Sequence, residues 1–197
     1  MFRIEFGYRE LEDYAKQLGA RVDQIPFALS LAMNRSADVT RNLLIRQTWP
    51  NHVHARNPSF IAASLTTRDA RASKSSLAVE IYDRLDHGQL QRQAKGGTRT
   101  PHKGANIAIP ASSVPRTSRG VAKNFKPANL QNSFKRKGML FVRDKKGKVR
   151  LVYTLKHQTH IPKRVPFYED FHASMQRELT RTIPMAVAKA MSTARRL

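Results

Sequence analysis

The stretch GMLFVRDKKGKVRLVYTL, Gly138–Leu155, decides the fold class. Within it Leu140–Arg143 and Val149–Leu155 are rich in branched and aromatic side chains, and Asp144-Lys145-Lys146-Gly147 supplies the Asp and Gly of a turn. That pattern predicts a β-hairpin, hence antiparallel pairing. Such a sheet needs cover on its apolar face, and two long helical patterns supply it. The first carries the stripe Ile25, Leu29, Ala32, Ser36, Val39 and Leu43, with Asp23 as cap, Pro26 in the first turn and an end near Trp49-Pro50. The second begins near Pro166, with Glu169 and Asp170 in its first turn, where the helix dipole favours acids. Its stripe runs Tyr168, Phe171, Met175, Leu179, Ile183, Val187, Ala190 and Ala194, and Pro184 is expected to kink it or split it in two.

The remaining segments are shorter. Phe2–Phe6 alternates apolar and charged residues as a half-buried strand does, and Leu11, Tyr14, Ala15 and Leu18 suggest a short helix stopped by Gly19. Ser59–Thr67 and Ser76–Asp83 read as strands joined by the polar run Arg68–Ser75. From Leu85 to Pro110 the chain reads as loop, and the following 28 residues hold at most one short helix around Ala128–Phe134. HIPKRVP, His160–Pro166, reads as an extended link. The expected fold is a single α+β domain over 1–197: a small, mostly antiparallel sheet packed against the two long helices, with 88–138 as a long basic loop or arm.

Composition narrows the function. A 40% share of hydrophobic residues can build a core, and the lack of cysteine removes disulfides and thiolate metal sites. The N-terminus lacks the apolar core of a signal peptide, and no window approaches the roughly 20 apolar residues of a membrane span, so a soluble chain made in the cytoplasm is expected. The net charge is +22, and its distribution is the informative part: 88–150 holds sixteen Lys and Arg against Asp144 alone, while 1–50 holds seven basic and six acidic residues. A partner is therefore expected at the basic segment.

No catalytic constellation accompanies that charge. GxSxG, the phosphate-binding GxxxxGK[ST], HExxH and CxxC are all missing, and the glycines of GQLQRQAKGGT lack a strand-to-helix frame. The pairs His52/His54 and His157/His160 have no acidic partner at a usable spacing and read as surface or packed histidines. The expectation is a protein that is not an enzyme, with no cofactor, metal or small-molecule substrate. Sixteen cations can neutralise phosphates, but Phe125 and Phe134 form no aromatic run of the RNA-binding kind and no helix-turn-helix frame is visible. Contact with nucleic acid that does not read its sequence, and a merely solvated basic face, both stay open.

Three stretches carry a resemblance: IPFALSLAMNRSADVTRNLL (Ile25–Leu44), GGTRTPHKGANIAIP (Gly96–Pro110) and IPKRVPFYEDFHASMQRELTRTIPMAVAKAM (Ile161–Met191). In this order they are similar to the early helix, the paired-glycine loop and the approach to the long C-terminal helix of tail-completion and minor tail proteins of tailed bacteriophages. The resemblance is especially to the lambda minor tail protein Z family and its wider head–tail joining relatives. The resemblance implies a virion subunit, held in the host cytoplasm before assembly. It would form a ring with copies of itself at the neck or tail terminus. There it would meet portal or adaptor proteins, or tail-tube or terminator proteins, and touch channel DNA without reading its sequence. The chain departs from that family in its basic middle. The cations expected to face the partner or DNA are Arg92, Lys95, Arg99, Lys103, Arg116, Arg119, Lys123, Lys126, Lys135, Arg136, Lys137, Lys145, Lys146 and Lys148.

Overall fold

A computed structural model of the chain describes residues 3–6, 13, 15–17, 24–55, 57–85, 89–101, 104–118 and 120–194. Most of the short helix read around Leu11–Leu18, and the cap Asp23, lie outside those residues. The fold is α+β, with antiparallel sheets and a long C-terminal helix. In place of one body over 1–197, the chain divides into two compact units, Met1–His54 with Pro58–Lys95 and Lys163–Leu197, and Gly96–Pro162 with Ala55–Asn57. The sheet and helices expected to pack together are correspondingly distributed: the predicted hairpin belongs to the second unit and both long helices to the first.

In the helical unit, α1 (Ile25–Leu43) begins with Pro26 in its first turn, where a missing N–H costs nothing. It continues into a wider π turn, Leu44–Thr48, in which the Trp49 N–H reaches back to the Leu44 carbonyl, and then into α2 (Trp49–His52). Pro50 cannot donate to the regular ladder there. Along α1 the predicted stripe holds only at its start: Ile25, Leu29, Ala32 and Ser36 are buried, but Thr40 and Leu44 then replace Val39 and Leu43, which are half-buried. A 4-3-4-3 spacing averages 3.5 residues, and a straight helix at 3.6 drifts away from it.

The other long helix, α5 (Phe167–Ala194), is continuous through Pro184 instead of splitting there. It runs antiparallel to α1, as three side-chain hydrogen bonds show. Ser36 Oγ meets Thr182 Oγ1 at 2.9 Å, Thr40 Oγ1 meets Ser174 Oγ at 2.9 Å, and Thr48 Oγ1 donates to Asp170 Oδ2 at 2.5 Å. Around this polar seam Leu29, Met33, Leu44, Phe171, Met175 and Leu179 are almost wholly buried, each contributing about 1.5–3 kcal/mol. Trp49 stacks on Phe167 with centroids 6.0 Å apart and closes that end of the pair.

The opposite, polar side of α1 organises the middle of the chain. Asn34 exchanges two hydrogen bonds with the Ala72 backbone (2.8 and 2.9 Å), and Asp38 receives Arg71 in a forked pair (2.6 and 2.8 Å). Arg41 donates to the carbonyls of Leu65 (2.6 Å) and Ala62 (2.9 Å). That capture ends α3 (Ser59–Ser64), which stands where a strand was expected; only β2 (Leu65–Thr66) is extended. With β1 (Arg3–Phe6) and β3 (Val79–Asp83), β2 makes a three-stranded antiparallel sheet in the order β1-β3-β2. The expected loop from Leu85 then contains α4 (Gln89–Lys95), whose Gln93 carbonyl accepts the N–H groups of Arg164 and Val165 at 2.9 and 3.0 Å.

The second unit opens with β4 (Gly97–Arg99), which pairs antiparallel with its closing strand β11 (Thr159–Ile161). Between them lie β5 (Ile107–Pro110), the small ladder β6 (Arg116–Thr117) and β7 (Gly120–Val121), and two 3₁₀ turns at Lys123–Phe125 and Pro127–Asn129. They are followed by β8 (Ser133–Arg136), β9 (Met139–Arg143) and β10 (Val149–Lys156). The order β5-β10-β9-β8 makes a four-stranded antiparallel sheet. The described residues of 88–138 thus form short strands, turns and a helix where a long basic loop or arm was expected, and the helix read around Ala128–Phe134 is a 3₁₀ turn followed by a strand.

The packing of α5 predicts a sharp contrast between its two sides. Leu179→Asp buries an unpaired charge against α1 and should cost about 4 kcal/mol or more. Met185→Asp, at a position 45% exposed on the same helix, should cost less than about 1 kcal/mol. Urea denaturation of the two variants checks this, and equal midpoints would refute the assigned face.

Candidate functional site: a basic surface

The charge expected of the middle segment is concentrated in the second unit. Gly96–Pro162 holds fifteen Lys and Arg against the single acid Asp144. Of the fourteen predicted cations, Lys103 and Arg119 lie outside the described residues. Arg92 and Lys95 sit on α4 in the helical unit, where Lys95 Nζ lies 5.3 Å from the Tyr168 ring centroid. The other ten, Arg99, Arg116, Lys123, Lys126, Lys135, Arg136, Lys137, Lys145, Lys146 and Lys148, are all exposed in the basic unit. Among the described residues none of them is engaged in an ion pair.

Local turn chemistry places them. Lys137 and Gly138 both take positive φ (46° and 71°), which makes the two-residue turn that joins β8 to β9. The turn from β9 to β10 is organised by Asp144, whose Oδ1 accepts the N–H groups of Lys146 and Lys148, each at 2.9 Å, while Gly147 takes φ 77°. The lone carboxylate is therefore spent on its own loop and raises three lysines, Lys145, Lys146 and Lys148, at its tip. β9 separates this tip from Lys137 by its five residues, a rise of roughly 13 Å. Of the predicted cations between Lys135 and Lys148, those before β9 and those after it therefore lie at opposite ends of the sheet.

The sheet has two unlike faces. One carries Leu140, Val152 and Tyr153 and is covered by Val114, with Val121 and Leu130 packed beside it. A bulge in β10 lies between Leu151 and Tyr153 in the pairing with β9, so the consecutive Val152 and Tyr153 are both buried. The Tyr153 hydroxyl donates to the Phe125 carbonyl at 2.5 Å and ties the Lys123–Phe125 turn to the sheet. Burial pushes this hydroxyl above the usual tyrosine range, and Arg116 offsets part of the rise. The other face is part-exposed. On it Phe134 and Phe141, paired across β8 and β9, stack with centroids 5.6 Å apart and planes 20° apart, and the Arg143 guanidinium lies 6.0 Å from the Phe134 centroid.

Phe141 and Arg143 are absent from the residues singled out in the sequence. The signal that would have found them is Lys137-Gly138 read as a two-residue turn, which puts Phe134 opposite Phe141. His52 Nδ1 lies 2.8 Å from the Thr48 carbonyl, and His157 Nδ1 lies 3.1 Å from that of Ala105. Among the described residues, no three of His, Asp or Glu come together in a metal-binding arrangement. A cleft of about 230 Å³ in the helical unit is lined by Thr48, His52, Asp170, Ser174 and Arg177 among others, and an open hollow of about 690 Å³ in the basic unit by Ser112, Val114, Arg116, Thr117 and Ser118. No described helix is long and apolar enough to cross a membrane. Family models, curated proteins and solved structures were compared with the chain, and none matches it.

Tyr153→Phe should lower stability by about 1 kcal/mol through loss of the bond to Phe125. Because the hydroxyl titrates higher in the folded chain, its contribution is complete below about pH 10 and is lost as pH rises through the folded value. Urea midpoints of the wild type and the variant, measured at neutral pH and at strongly alkaline pH, should differ at the first and converge at the second. Equal midpoints at neutral pH would show that the bond contributes nothing.

Proposed function

We propose that the chain is a structural virion protein of a tailed bacteriophage, one of several copies in a ring that forms or completes the head–tail junction at the neck or tail terminus. The observation that carries this reading is the division of labour between the two units. The helical unit has a tightly packed body, whereas Gly96–Pro162 of the second unit carries fifteen Lys and Arg against one acid, +14 of the net +22, and its described cations are all exposed. A subunit that works by shape needs a rigid body and an adaptable surface, and it needs no convergent catalytic groups.

The three stretches similar to tail-completion proteins support the reading in the same way. Ile25–Leu44 forms α1 and the start of the π turn, Ile161–Met191 leads into α5, and Gly96–Pro110 spans β4 to β5 of the basic unit. Copies of the chain would pack beside one another, and the lysine-rich turns would extend to an acidic portal, adaptor, tail-tube or terminator ring, or to the DNA in the channel. The chain would reside in the host cytoplasm until assembly and in the virion afterwards.

A second reading, a small basic protein that binds nucleic acid without reading its sequence, is favoured by one observation. The stacked Phe134–Phe141 pair beside Arg143 is an aromatic platform within a positively charged unit.

Replacing Lys145, Lys146 and Lys148 with Gln alters only exposed side chains and should change stability by less than about 0.5 kcal/mol. In a phage that depends on the variant chain, electron microscopy should then show separate heads and tails where the wild type shows joined particles. Joined, infectious particles at the wild-type yield would remove these lysines from the proposed junction. If a second variant with Arg116, Lys123, Lys126, Lys135, Arg136 and Lys137 neutralised behaves the same way, the assembly reading goes with them.

A further inference from the structure

We infer that the outer face of the β8-β9-β10 sheet binds single-stranded nucleic acid, with bases laid on the Phe134–Phe141 pair and phosphates on the arginines around it. The inference rests on the second, nucleic-acid reading. It adds a surface, a strandedness and a role for each residue.

The cross-strand register sorts the side chains. Phe134 faces Phe141 across β8 and β9, Leu151 faces Phe141 across β9 and β10, and Arg136 faces Met139 one row along. Phe134, Phe141 and Leu151 therefore form one row across three strands, on the side of the sheet opposite the buried Leu140 and Tyr153. All three members of the row are part-exposed, whereas Arg136 and Arg143 at its margins are exposed. A solvated sheet face ordinarily carries polar side chains, so an apolar row there, two of its three members aromatic, is a surface awaiting a partner.

Chemistry selects the occupant. Every nucleobase has a π face that stacks on an aromatic ring, and a strand whose bases are unpaired can offer those faces while its phosphates reach flanking cations. The planar guanidinium of Arg143 already lies over the Phe134 ring, so that ring accepts a flat group. The partner must also be an anion. The Gly96–Pro162 part of a second copy's basic unit brings the same fifteen cations against one acid and is repelled from this face. Asp144, a single carboxylate against fifteen cations, offsets little of the positive field of this unit. A duplex satisfies the charge but hides its base faces, so charge alone would favour duplex and single strand alike.

The test is fluorescence anisotropy on the full chain with a labelled oligothymidylate of about 20 nucleotides and a duplex of equal length, across a salt series. The wild type should bind the single strand more tightly. Phe134→Ala with Phe141→Ala should weaken single-strand binding about tenfold or more and leave duplex binding and the salt slope unchanged. Phe134→Leu with Phe141→Leu, which keeps the apolar contact and guards against loss of fold, should show the same loss. Arg136→Gln with Arg143→Gln should instead reduce the salt slope for the single strand by about 1.4. Equal affinity for both strand forms, or folded Phe variants that bind as the wild type does, would overturn the inference while leaving the nucleic-acid reading intact. No binding to either form at low salt removes that reading and the inference together. Labelled polyglutamate binding as tightly as oligothymidylate would assign the face to an acidic protein.

Discussion

The helical unit depends on the seam between α1 and α5. Two apolar stripes would bury area in several registers, but the hydroxyl pairs Ser36–Thr182 and Thr40–Ser174, with Thr48 on Asp170, favour one. Sliding one helix by a turn would bury those groups without partners, at about 1–3 kcal/mol each. With the register set, the far side of α1 presents Asn34, Asp38 and Arg41 at fixed heights, and the segment from α3 to Ala72 is laid down on them. A buried seam thus determines the course of a surface segment.

The basic unit is held together differently. Its buried apolar set is small, Val114, Leu140, Val152 and Tyr153, and much of its order comes from turns: the positive-φ pair Lys137-Gly138, the Asp144 loop and the Tyr153 bond to the Phe125 carbonyl. Fifteen cations against one acid oppose this compactness by mutual repulsion. This charge pattern works against the fold, which is the physical reason that the proposed partner is placed at these turns rather than on the helices.

What could be read from the sequence follows how local the determining interactions are. The β9-β10 hairpin was legible because Asp144 and Gly147 encode the turn within a few residues, and α5 was legible because its stripe from Phe171 to Ala190 repeats with one period. Ser59–Ser64 was misread because a short apolar run suits either helix or strand, and the deciding contact comes from Arg41, distant in the chain. The strands between Gly97 and Arg136 were missed for a related reason. β4 finds its partner only at Thr159–Ile161, and β8 depends on a turn whose first residue is a lysine in the left-handed region. The basic character of the site was visible at once, but the pairing of Phe134 with Phe141 needed that register.

The β4-β11 ladder carries a consequence of another kind. The chain leaves the helical unit after Lys95 and returns at Lys163, and between these points Gly97 stands directly opposite Ile161. Facing residues on paired strands are only about 5 Å apart, so the Gly96–Pro162 part of the basic unit is spliced in across a gap that a very short linker can span. Connectivity therefore leaves α4 and α5 indifferent to the length and composition of what lies between Arg99 and Thr159. Such a cassette could be shortened, recharged or exchanged for another while the scaffold that carries it keeps its sequence, so change in the basic surface need not bring change in the helical core.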